Sequence, residues 1–291
     1  MEEINGILIL DKPKNYTSHD VVAKVKKILN VKKVGHTGTL DPNATGVLIL
    51  LLNQGTKFSK YLINHDKEYE VVLKLGIKTD TADGEGNIIE EREVKLKEET
   101  QIKKVLEGFI GKQKQLPPMY SAIKVDGKKL YEYAREGKKV ELDSREIEIY
   151  SIELKNILKQ ENEIEFKVSC SKGTYIRSLC EDIAEKLETI GYMKELRRTK
   201  VGDYRIDEAS TIEELENNKN EVIKNKLITL EKLLKNNSKI IINKEKLQMF
   251  LNGVKLDINK ENGIYNIYTE DNNYIGIGIV KENKLKRDIC I

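Results

Sequence analysis

The sequence predicts an α+β fold with a largely antiparallel central sheet, flanking helices and a small β-rich C-terminal domain. Helix-like and strand-like segments are mixed without the strict βαβ alternation that builds parallel sheets. Several strands alternate apolar and polar residues, which is typical of antiparallel sheets with one solvated face. From Ser238 onward, short apolar segments are separated by Gly and Asn turns. We therefore expect two domains, residues 1–236 and residues 237–291.

The first half of the chain contains three predicted strands and three predicted helices. In chain order they are the strand NGILILDKP, the helix TSHDVVAKVKKIL, the strand Val47–Leu52, a short helix around Phe58–Leu62, the strand YEVVLKLG and the helix TQIKKVLEGFIG. Thr17 and Asp20 stand at the spacing of a capping box, which predicts where the first helix begins. Ile102 and Ile110 mark the two ends of the apolar face expected for the last helix.

Two strands and a helix are predicted after a long polar and aromatic stretch. They are the strands REIEIYSIEL and NEIEFKVSCSKG and the helix TYIRSLCEDIAEKL. Of the three cysteines, Cys170 lies on an alternating apolar strand face and Cys180 on a helical apolar stripe. Because no C-x-x-C pair is present, we expect both to be reduced core residues of a cytoplasmic protein.

Composition and motifs exclude several classes of function. The chain has 51 basic and 48 acidic residues, and a net charge of +3 is too balanced to indicate nucleic acid by itself. The N-terminus and the longest apolar run, Val47–Leu52, are too short for a signal peptide or a membrane span. Phosphate-loop, dinucleotide, serine-hydrolase and zinc motifs are missing from the sequence. We expect no membrane, no metal and no cofactor.

Two charged residues stand in unusual surroundings. The stretch GHTGTLDPNATGVL, residues 35–48, places Asp41 in a Gly/Thr-rich turn directly before an apolar strand. Asp-Pro is common where a chain reverses, so the turn alone does not indicate catalysis. Arg177 begins a predicted helix among apolar neighbours, and a cation pressed toward a core needs an acidic partner. The pattern itself leaves that partner open.

Six blocks of the sequence together resemble the bacterial tRNA pseudouridine synthase family, which modifies the T-loop uridine (position 55) of tRNA. They lie in the family's order within about the first 210 residues: GILILDKPKNYTSHDVV, VGHTGTLDPNATGVL, KEYEV, QLPPMYSAIKVDGKKLYEYAREG, SCSKGTYIRSL and ELRRTKVGDY. Asn15 stands where the family usually has Gly. Because Asn tolerates a positive φ, we expect the same turn there.

The resemblance implies a pseudouridine synthase-like fold and roles for seven residues. Asp41 would be the nucleophile, and Arg177 would form an ion pair with it. Tyr69 would stack on the target base and assist the final proton removal. His36 would occupy space vacated by flipped-out T-loop bases. The substrate-binding set is His36, Tyr175, Leu196 and Lys12.

The resemblance also implies how the RNA is held. Residues of about 112–140, which we call the clamp insertion, resemble the segment that grips the T-arm. Its cations would contact phosphates; they are Lys124, Lys128, Lys129 and Arg135. Residues 237–291 loosely resemble the family's small PUA-like RNA-binding domain. The implied enzyme is a cytoplasmic monomer whose partner is the T-arm stem-loop of tRNA.

Several alternatives remain open at this point. The carboxylate of Asp41 could add to C1′ of the ribose or to the uracil ring. An RNA-guided pseudouridine synthase subunit shares the same motifs but works with protein partners and a guide RNA. A tRNA-folding chaperone could use the same surface, and a small-molecule enzyme could carry a chance Asp loop. The clamp insertion favours a stand-alone enzyme that acts on tRNA.

Overall fold

The computed structural model describes residues 3–121, 123–138, 140 and 142–291, without the side chain of Arg135. The described elements of the first part are β1 (Gly6–Lys12), α1 (Ser18–Leu29), β2 (Val34–His36), β3 (Thr45–Leu52), α2 (Ser59–Leu62), β4 (Lys67–Leu75), β5 (Ile77–Thr79), β6 (Ile88–Glu91), α3 (Glu99–Glu107), β7 (Gly111–Gln115), β8 (Lys124–Val125), β9 (Lys128–Lys129) and α4 (Leu130–Arg135). Short 3₁₀ turns cover Asn53–Phe58, Ile206–Glu208 and Leu230–Lys232.

The second part begins with β10, the longest of the described strands. Its elements are β10 (Arg145–Leu158), β11 (Glu163–Cys170), α5 (Ile176–Lys186), β12 (Gly191–Val201), β13 (Tyr204–Arg205), α6 (Ile212–Asn217), α7 (Lys219–Lys226), β14 (Lys239–Ile242), α8 (Lys244–Leu251), β15 (Leu256–Asp257), β16 (Gly263–Thr269), β17 (Tyr274–Lys281) and β18 (Lys284–Cys290). Mixed helices and sheets confirm the predicted α+β class. None of the described helices has the length and apolar character needed to cross a membrane.

The body of the described chain is a nine-stranded sheet in the order β1-β3-β12-β4-β11-β10-β7, with β2 beside β3 and β13 beside β12. Its strands pair in antiparallel fashion except for β3 and β12. That parallel contact consists of Thr45 opposite Arg197 and Gly46 opposite Arg198, and we call it the seam. The predicted, largely antiparallel sheet is therefore confirmed. The seam joins strands near the N-terminus to a strand about 150 residues further along the sequence.

Helices α3 and α5 pack on one face of this sheet and bury its apolar residues. On β4, Tyr69, Val71 and Leu73 are buried while the intervening Glu70 is exposed. The predicted alternation therefore separates a core face from a solvated face. Cys170 and Cys180 are both fully buried in this core, as expected.

Local sequence signals set several of these boundaries. The amide of Asp20 donates to the hydroxyl of Thr17 at 3.0 Å, and the amide of Thr17 donates to the Asp20 carboxylate at 2.9 Å. This is the predicted capping box. Asn15 has a φ of 65°, as expected for a residue in place of glycine. Ile110 was wrongly predicted as part of an apolar helix face, because α3 ends at Glu107 and Ile110 is 49 % exposed beyond it.

The C-terminal strands form a second, five-stranded sheet in the order β14-β16-β17-β18-β15. Its Ile277 and Ile289 pack into the same apolar cluster as Ile9 and Val47 of the first sheet. The hydroxyl of Tyr61 also donates to Asp288 of β18 at 2.5 Å. The two sheets therefore share a core and are not joined by the connecting segment alone.

Candidate active site

The loop that carries Asp41 connects β2 to β3 and is anchored by the guanidinium of Arg198. Arg198 is buried on β12 and donates to the carbonyls of Gly38 at 3.1 Å, Thr39 at 3.4 Å and Val47 at 2.7 Å. Since each contact fixes a backbone carbonyl, the loop conformation depends on a side chain from across the seam.

Lys12 binds the same loop through the carbonyl of Pro42. Its side chain is fully buried, and Nζ donates to the carbonyls of Pro13 at 3.0 Å, Tyr16 at 2.5 Å and Pro42 at 3.0 Å. These three contacts use all the protons of the ammonium group. Burial lowers the pKa of Lys12 to about 8. Lys12 was predicted to bind substrate; its ammonium group is held by carbonyls of the turn before α1 and of Pro42, and Lys12 is not among the residues that line the cleft around Asp41.

The start of α1 and the turn before it supply further contacts to the loop. The hydroxyl of Ser18 donates to the carbonyl of Leu40 at 3.2 Å and accepts from its amide at 2.9 Å. The amide of Asn15 donates to the carbonyl of Pro42 at 3.0 Å. Asp41 is thus flanked on both sides by residues whose backbone is fixed. The turn residues read from the sequence form a rigid support for the carboxylate.

Asp41 lines a cleft of about 570 Å³ beside the seam. The walls come from its own loop, β4, the segment after β7, the start of α5 and β12. Five of the seven predicted site residues meet here: Asp41, Tyr69, Tyr175, Arg177 and Leu196. They come from distant parts of the chain, so their convergence is a property of the fold.

Asp41 and Arg177 are in direct contact. Nε of Arg177 lies 3.2 Å from Oδ2 of Asp41. The Arg177 side chain is only 8 % exposed, whereas the Asp41 side chain is 36 % exposed, on the cleft side. The guanidinium therefore lies in the wall and orients a carboxylate that reaches the open space.

Arg177 also contacts a second carboxylate, Asp83. Nη1 lies 3.7 Å from Oδ2 of Asp83 and donates to the carbonyl of Thr81 at 3.3 Å. Nη2 donates to the carbonyl of Tyr120 at 2.8 Å. The Asp83 side chain is itself buried, with Oδ1 accepting from the hydroxyl of Thr81 at 2.6 Å. One guanidinium is therefore fixed between two carboxylates and two carbonyls.

The cleft raises the pKa of Asp41 above its ordinary value. Burial has the largest effect, and the negative charge of Asp83 acts in the same direction. Arg177, Lys12 and Arg198 oppose both by stabilising the ionised form. A reaction that needs the carboxylate should therefore lose rate as pH falls through a value above the usual aspartate range.

Asp83→Asn should shift the acid limb of the pH–rate profile, the fall in rate at low pH, to lower pH. Removing the negative charge of Asp83 lowers the pKa of Asp41, so the fall in activity moves to lower pH. At neutral pH we expect the rate to fall about ten- to a hundred-fold, because Arg177 loses one of the groups that orient it. The measurement is the pH dependence of kcat. An acid limb that stays in place or moves upward would contradict the coupling.

Tyr69 lines the cleft from β4 and is buried. Arg198 stands opposite Tyr69 on β12. Burial raises the pKa of Tyr69 to about 12, so the phenol is neutral at physiological pH. The ring lines the cleft, and the residue opposite it on β12 is the same arginine that anchors the Asp41 loop.

Tyr175 caps the N-terminal end of α5 and is fixed by Gln115 of β7. The amide of Tyr175 donates to Oε1 of Gln115 at 2.8 Å, and Nε2 of Gln115 donates to the Tyr175 carbonyl at 3.0 Å. This pair joins the end of the sheet to the start of the helix that carries Arg177. Leu196 of β12 completes an apolar part of the wall.

His36 lies on β2 next to the cleft, with its partner ring His19 in the wall. The two ring centroids are 5.5 Å apart in an edge-to-face arrangement. Nδ1 of His36 is buried and has no hydrogen-bond partner among the described residues. Burial lowers the pKa of His36, so the neutral ring is favoured. His36 is thus adjacent to the predicted substrate space, and His19 is the imidazole that faces it.

Two consecutive segments of the chain match domains of known protein families. Residues 26–176 match the TruB family pseudouridylate synthase (N terminal domain). Residues 177–238 match the tRNA pseudouridylate synthase B C-terminal domain. The chain belongs to the TruB family of pseudouridylate synthases. The predicted resemblance is therefore confirmed, and with it the enzyme class, an isomerase.

Relatives within this pseudouridylate synthase family are similar over most of the chain. The tRNA pseudouridine synthase B of Alkaliphilus oremlandii is 46 % identical over 275 residues, covering 94 % of this chain and 88 % of the relative. That of Mesoplasma florum is 52 % identical over 213 residues, covering 73 % and 74 %. The structure of a Cbf5-Nop10-Gar1 complex contains a chain with a TM-score of 0.72 and 27 % identity, covering 99 % of this chain and 84 % of that one.

In this pseudouridylate synthase the clamp insertion closes one side of the cleft. Tyr120, Ser121, Lys129 and Tyr131 all line it. Of the other cations predicted to meet phosphates, Lys124 is exposed, and Lys128 is in an ion pair with Glu136. The side chain of Arg135 lies outside the described part of the structure.

Sequence reasoning about this pseudouridylate synthase missed two residues that organise the site, Arg198 and Asp83. Arg198 could have been found, because it lies two residues after Leu196 on a strand and therefore shares its inward face. Asp83 gave no such signal, since TDTADGEG has the composition of an ordinary turn.

Proposed function

We propose that this pseudouridine synthase isomerises the T-loop uridine of tRNA, with Asp41 as the nucleophile. The observation that carries the proposal is the Asp41–Arg177 contact inside a cleft large enough to receive a nucleotide. The relatives described above, named tRNA pseudouridine synthase B, support tRNA as the substrate.

The reaction rearranges the nucleoside without net transfer of atoms. The N1–C1′ bond breaks, the uracil turns, and C5 bonds to C1′ while a proton leaves C5 and N1 gains one. Asp41 can assist either by forming an ester at C1′ or by adding to the uracil ring. In both routes the carboxylate must be ionised and aimed, which is what the contact with Arg177 provides.

The cleft surroundings suit a base that has left its helix. Tyr69 presents a ring on which uracil can stack, and Leu196 gives a second apolar surface. Both limit the access of water, which would otherwise hydrolyse a detached uracil or a ribosyl ester. Because Tyr69 is neutral, its hydroxyl can accept the C5 proton only as it passes its own proton on.

The remaining assignments complete this proposal. Residues 1–236 would form the catalytic domain and residues 237–291 a PUA-like domain that contacts RNA outside the cleft. The clamp insertion would hold the T-arm, with Lys129 nearest the target nucleotide. The protein would act as a monomer in the cytoplasm, which suits the buried free thiols of Cys170 and Cys180.

The decisive test uses the purified protein and an unmodified T-arm hairpin with nothing else added. We expect pseudouridine at the T-loop uridine, located by chemical mapping of the RNA. A hairpin with cytidine at that position is the matched control and should give no signal. Product at another uridine, or none in either RNA, would contradict the proposed function.

The same experiment separates two rival functions. The structural similarity to a chain from a complex with other proteins favours an RNA-guided subunit as second candidate. Such a subunit would be inactive on the isolated hairpin. A tRNA-folding chaperone would instead speed the refolding of tRNA, and it would do so equally well when Asp41 is replaced.

A further inference from the structure

Gln115 is a buried polar side chain between the main sheet and α5, and the proposed reaction does not use it directly. It is the last residue of β7 and is only 5 % exposed. Its Oε1 accepts from the amide of Tyr175 at 2.8 Å, and its Nε2 donates to the carbonyl of the same residue at 3.0 Å. The side-chain amide therefore binds the backbone of one residue at two points.

Tyr175 is the N-cap residue of α5, and its own side chain makes no capping hydrogen bond to the described residues. Its carbonyl also accepts the first hydrogen bond of the helix, from the amide of Leu179 at 3.1 Å. Because backbone groups at a helix end need partners from outside the helix, Gln115 holds the start of α5 in place. Arg177 lies in this first turn, two residues after Tyr175.

Two further hydrogen bonds join α5 to the residues that follow β7. The hydroxyl of Ser178 donates to the carbonyl of Leu116 at 3.0 Å. Nη2 of Arg177 donates to the carbonyl of Tyr120 at 2.8 Å. Residues 115–120, which we call the clamp root, lie within the clamp insertion. Four hydrogen bonds thus fix the clamp root to the start of one helix, and one of them is made by the guanidinium of the active site.

We propose that Gln115 is a positioning residue for the reaction, and that it acts by holding the start of α5 so that Arg177 meets the Asp41 carboxylate. The inference rests on the proposed function, since it takes Asp41 as the nucleophile. Nε of Arg177 lies 3.2 Å from Oδ2 of Asp41, a distance at which the carboxylate is oriented by a charge-assisted contact. A displacement of the helix start by about 1 Å would weaken this contact and lower the rate by up to about a hundred-fold.

Displacement of Arg177 and simple loosening of the site change the pKa of Asp41 in opposite directions. Arg177 lowers that pKa, so moving the guanidinium away raises it. Burial raises the same pKa, so admitting water to a loosened site lowers it. The other charges that act on Asp41 are those of Asp83, Lys12 and Arg198. Further titratable groups of the cleft are His19, Lys67, Tyr69 and Lys129, and Glu85 interacts with the Asp41 charge.

The test is Gln115→Met in the full chain, because methionine has a similar length, carries no charge and makes neither hydrogen bond. We expect kcat and kcat/KM on an unmodified T-arm hairpin to fall together by about ten- to a hundred-fold, with the RNA dissociation constant unchanged within about two-fold. The acid limb of the pH–rate profile should move to higher pH, opposite to the shift expected for Asp83→Asn. The NMR signal of the Asp41 carboxyl carbon, followed against pH, should show the same rise without turnover.

Gln113→Met is the matched control. Gln113 lies on the same strand, and its Nε2 also donates to a backbone carbonyl, that of Phe109 at 3.0 Å, within its own segment of the chain. The same chemical change there should leave the acid limb in place. Ser178→Ala removes one hydrogen bond between α5 and the clamp root without altering β7. It should give a smaller shift to higher pH, and it decides the question should Gln115→Met fail to fold in thermal unfolding.

Three results would overturn the assignment. One is an Asp41 titration that stays in place or moves to lower pH in folded Gln115→Met, or in Ser178→Ala where that protein does not fold. Another is an equal upward shift in Gln113→Met. The third is weaker RNA binding with kcat unchanged, which would assign the clamp root to substrate binding alone. Inactivity of the unaltered protein would instead contradict the proposed function, while the NMR titration would still test whether Gln115 positions Arg177.

Discussion

Asp41→Asn lowers the rate of pseudouridine formation by at least about a thousand-fold, because the amide cannot act as a nucleophile in place of the carboxylate. The substitution keeps the shape of the side chain and its place beside Arg177. We therefore expect tRNA affinity to remain within a few-fold of the unaltered protein. Single-turnover assays on unmodified tRNA measure the rate, and binding is measured separately.

The stability of the Asp41→Asn protein provides the control for that result. The folded state raises the pKa of Asp41, so it binds this proton more tightly than the unfolded chain does. The resulting stability is present at low pH and is lost as pH rises through the folded pKa. At pH 7 the neutral Asn avoids the cost of a charge in the cleft, and the melting temperature should not fall. Residual activity above about one per cent would contradict a nucleophilic role.

Gly46→Ala should disrupt the fold at the seam. Gly46 has a φ of +104°, and a Cβ placed on it would lie 2.1 Å from the carbonyl oxygen of Arg198 and 2.8 Å from its amide nitrogen. Both obstacles are backbone atoms of the paired strand, so no side-chain movement can relieve the clash. We expect a loss of about 3 kcal/mol or more in the free energy of unfolding, together with loss of activity.

Gly35→Ala is the matched control for the seam. A Cβ on Gly35 would meet its nearest neighbour, a methyl group of Thr56, at 3.7 Å, which is an ordinary contact. We expect its stability to change by less than about 1 kcal/mol in urea unfolding. If Gly46→Ala were as stable as Gly35→Ala, strands β3 and β12 would not be as closely apposed as described.

The individual elements could be predicted from the sequence because their signals are local. Alternation on β4, the capping box at Thr17 and the turn at Asn15 each depend on residues within a few positions. The predicted helix extended to Ile110, whereas α3 ends at Glu107, because the helical spacing of apolar residues continues past the last helical residue. Local periodicity thus predicts the type of an element more accurately than the residue at which the element ends.

The arrangement of the site could not be derived from local patterns. The seam brings residues 45–46 beside residues 197–198, and no periodicity encodes that pairing. Lys12 was assigned to the substrate on resemblance, and that role stays a prediction; the three backbone carbonyls that bind its ammonium group, one of them in the Asp41 loop, could not be read from local patterns. The second carboxylate on Arg177, Asp83, becomes visible only when the turn after β5 lies against β12.

The contact between the two sheets has a consequence for shortened chains. Ile277 and Ile289 cover apolar residues of β1 and β3, and Asp288 receives the hydroxyl of Tyr61. A protease cut or a premature stop near residue 237 would uncover that surface. Such a product would keep every residue of the proposed active site but expose an apolar surface, so we expect it to aggregate.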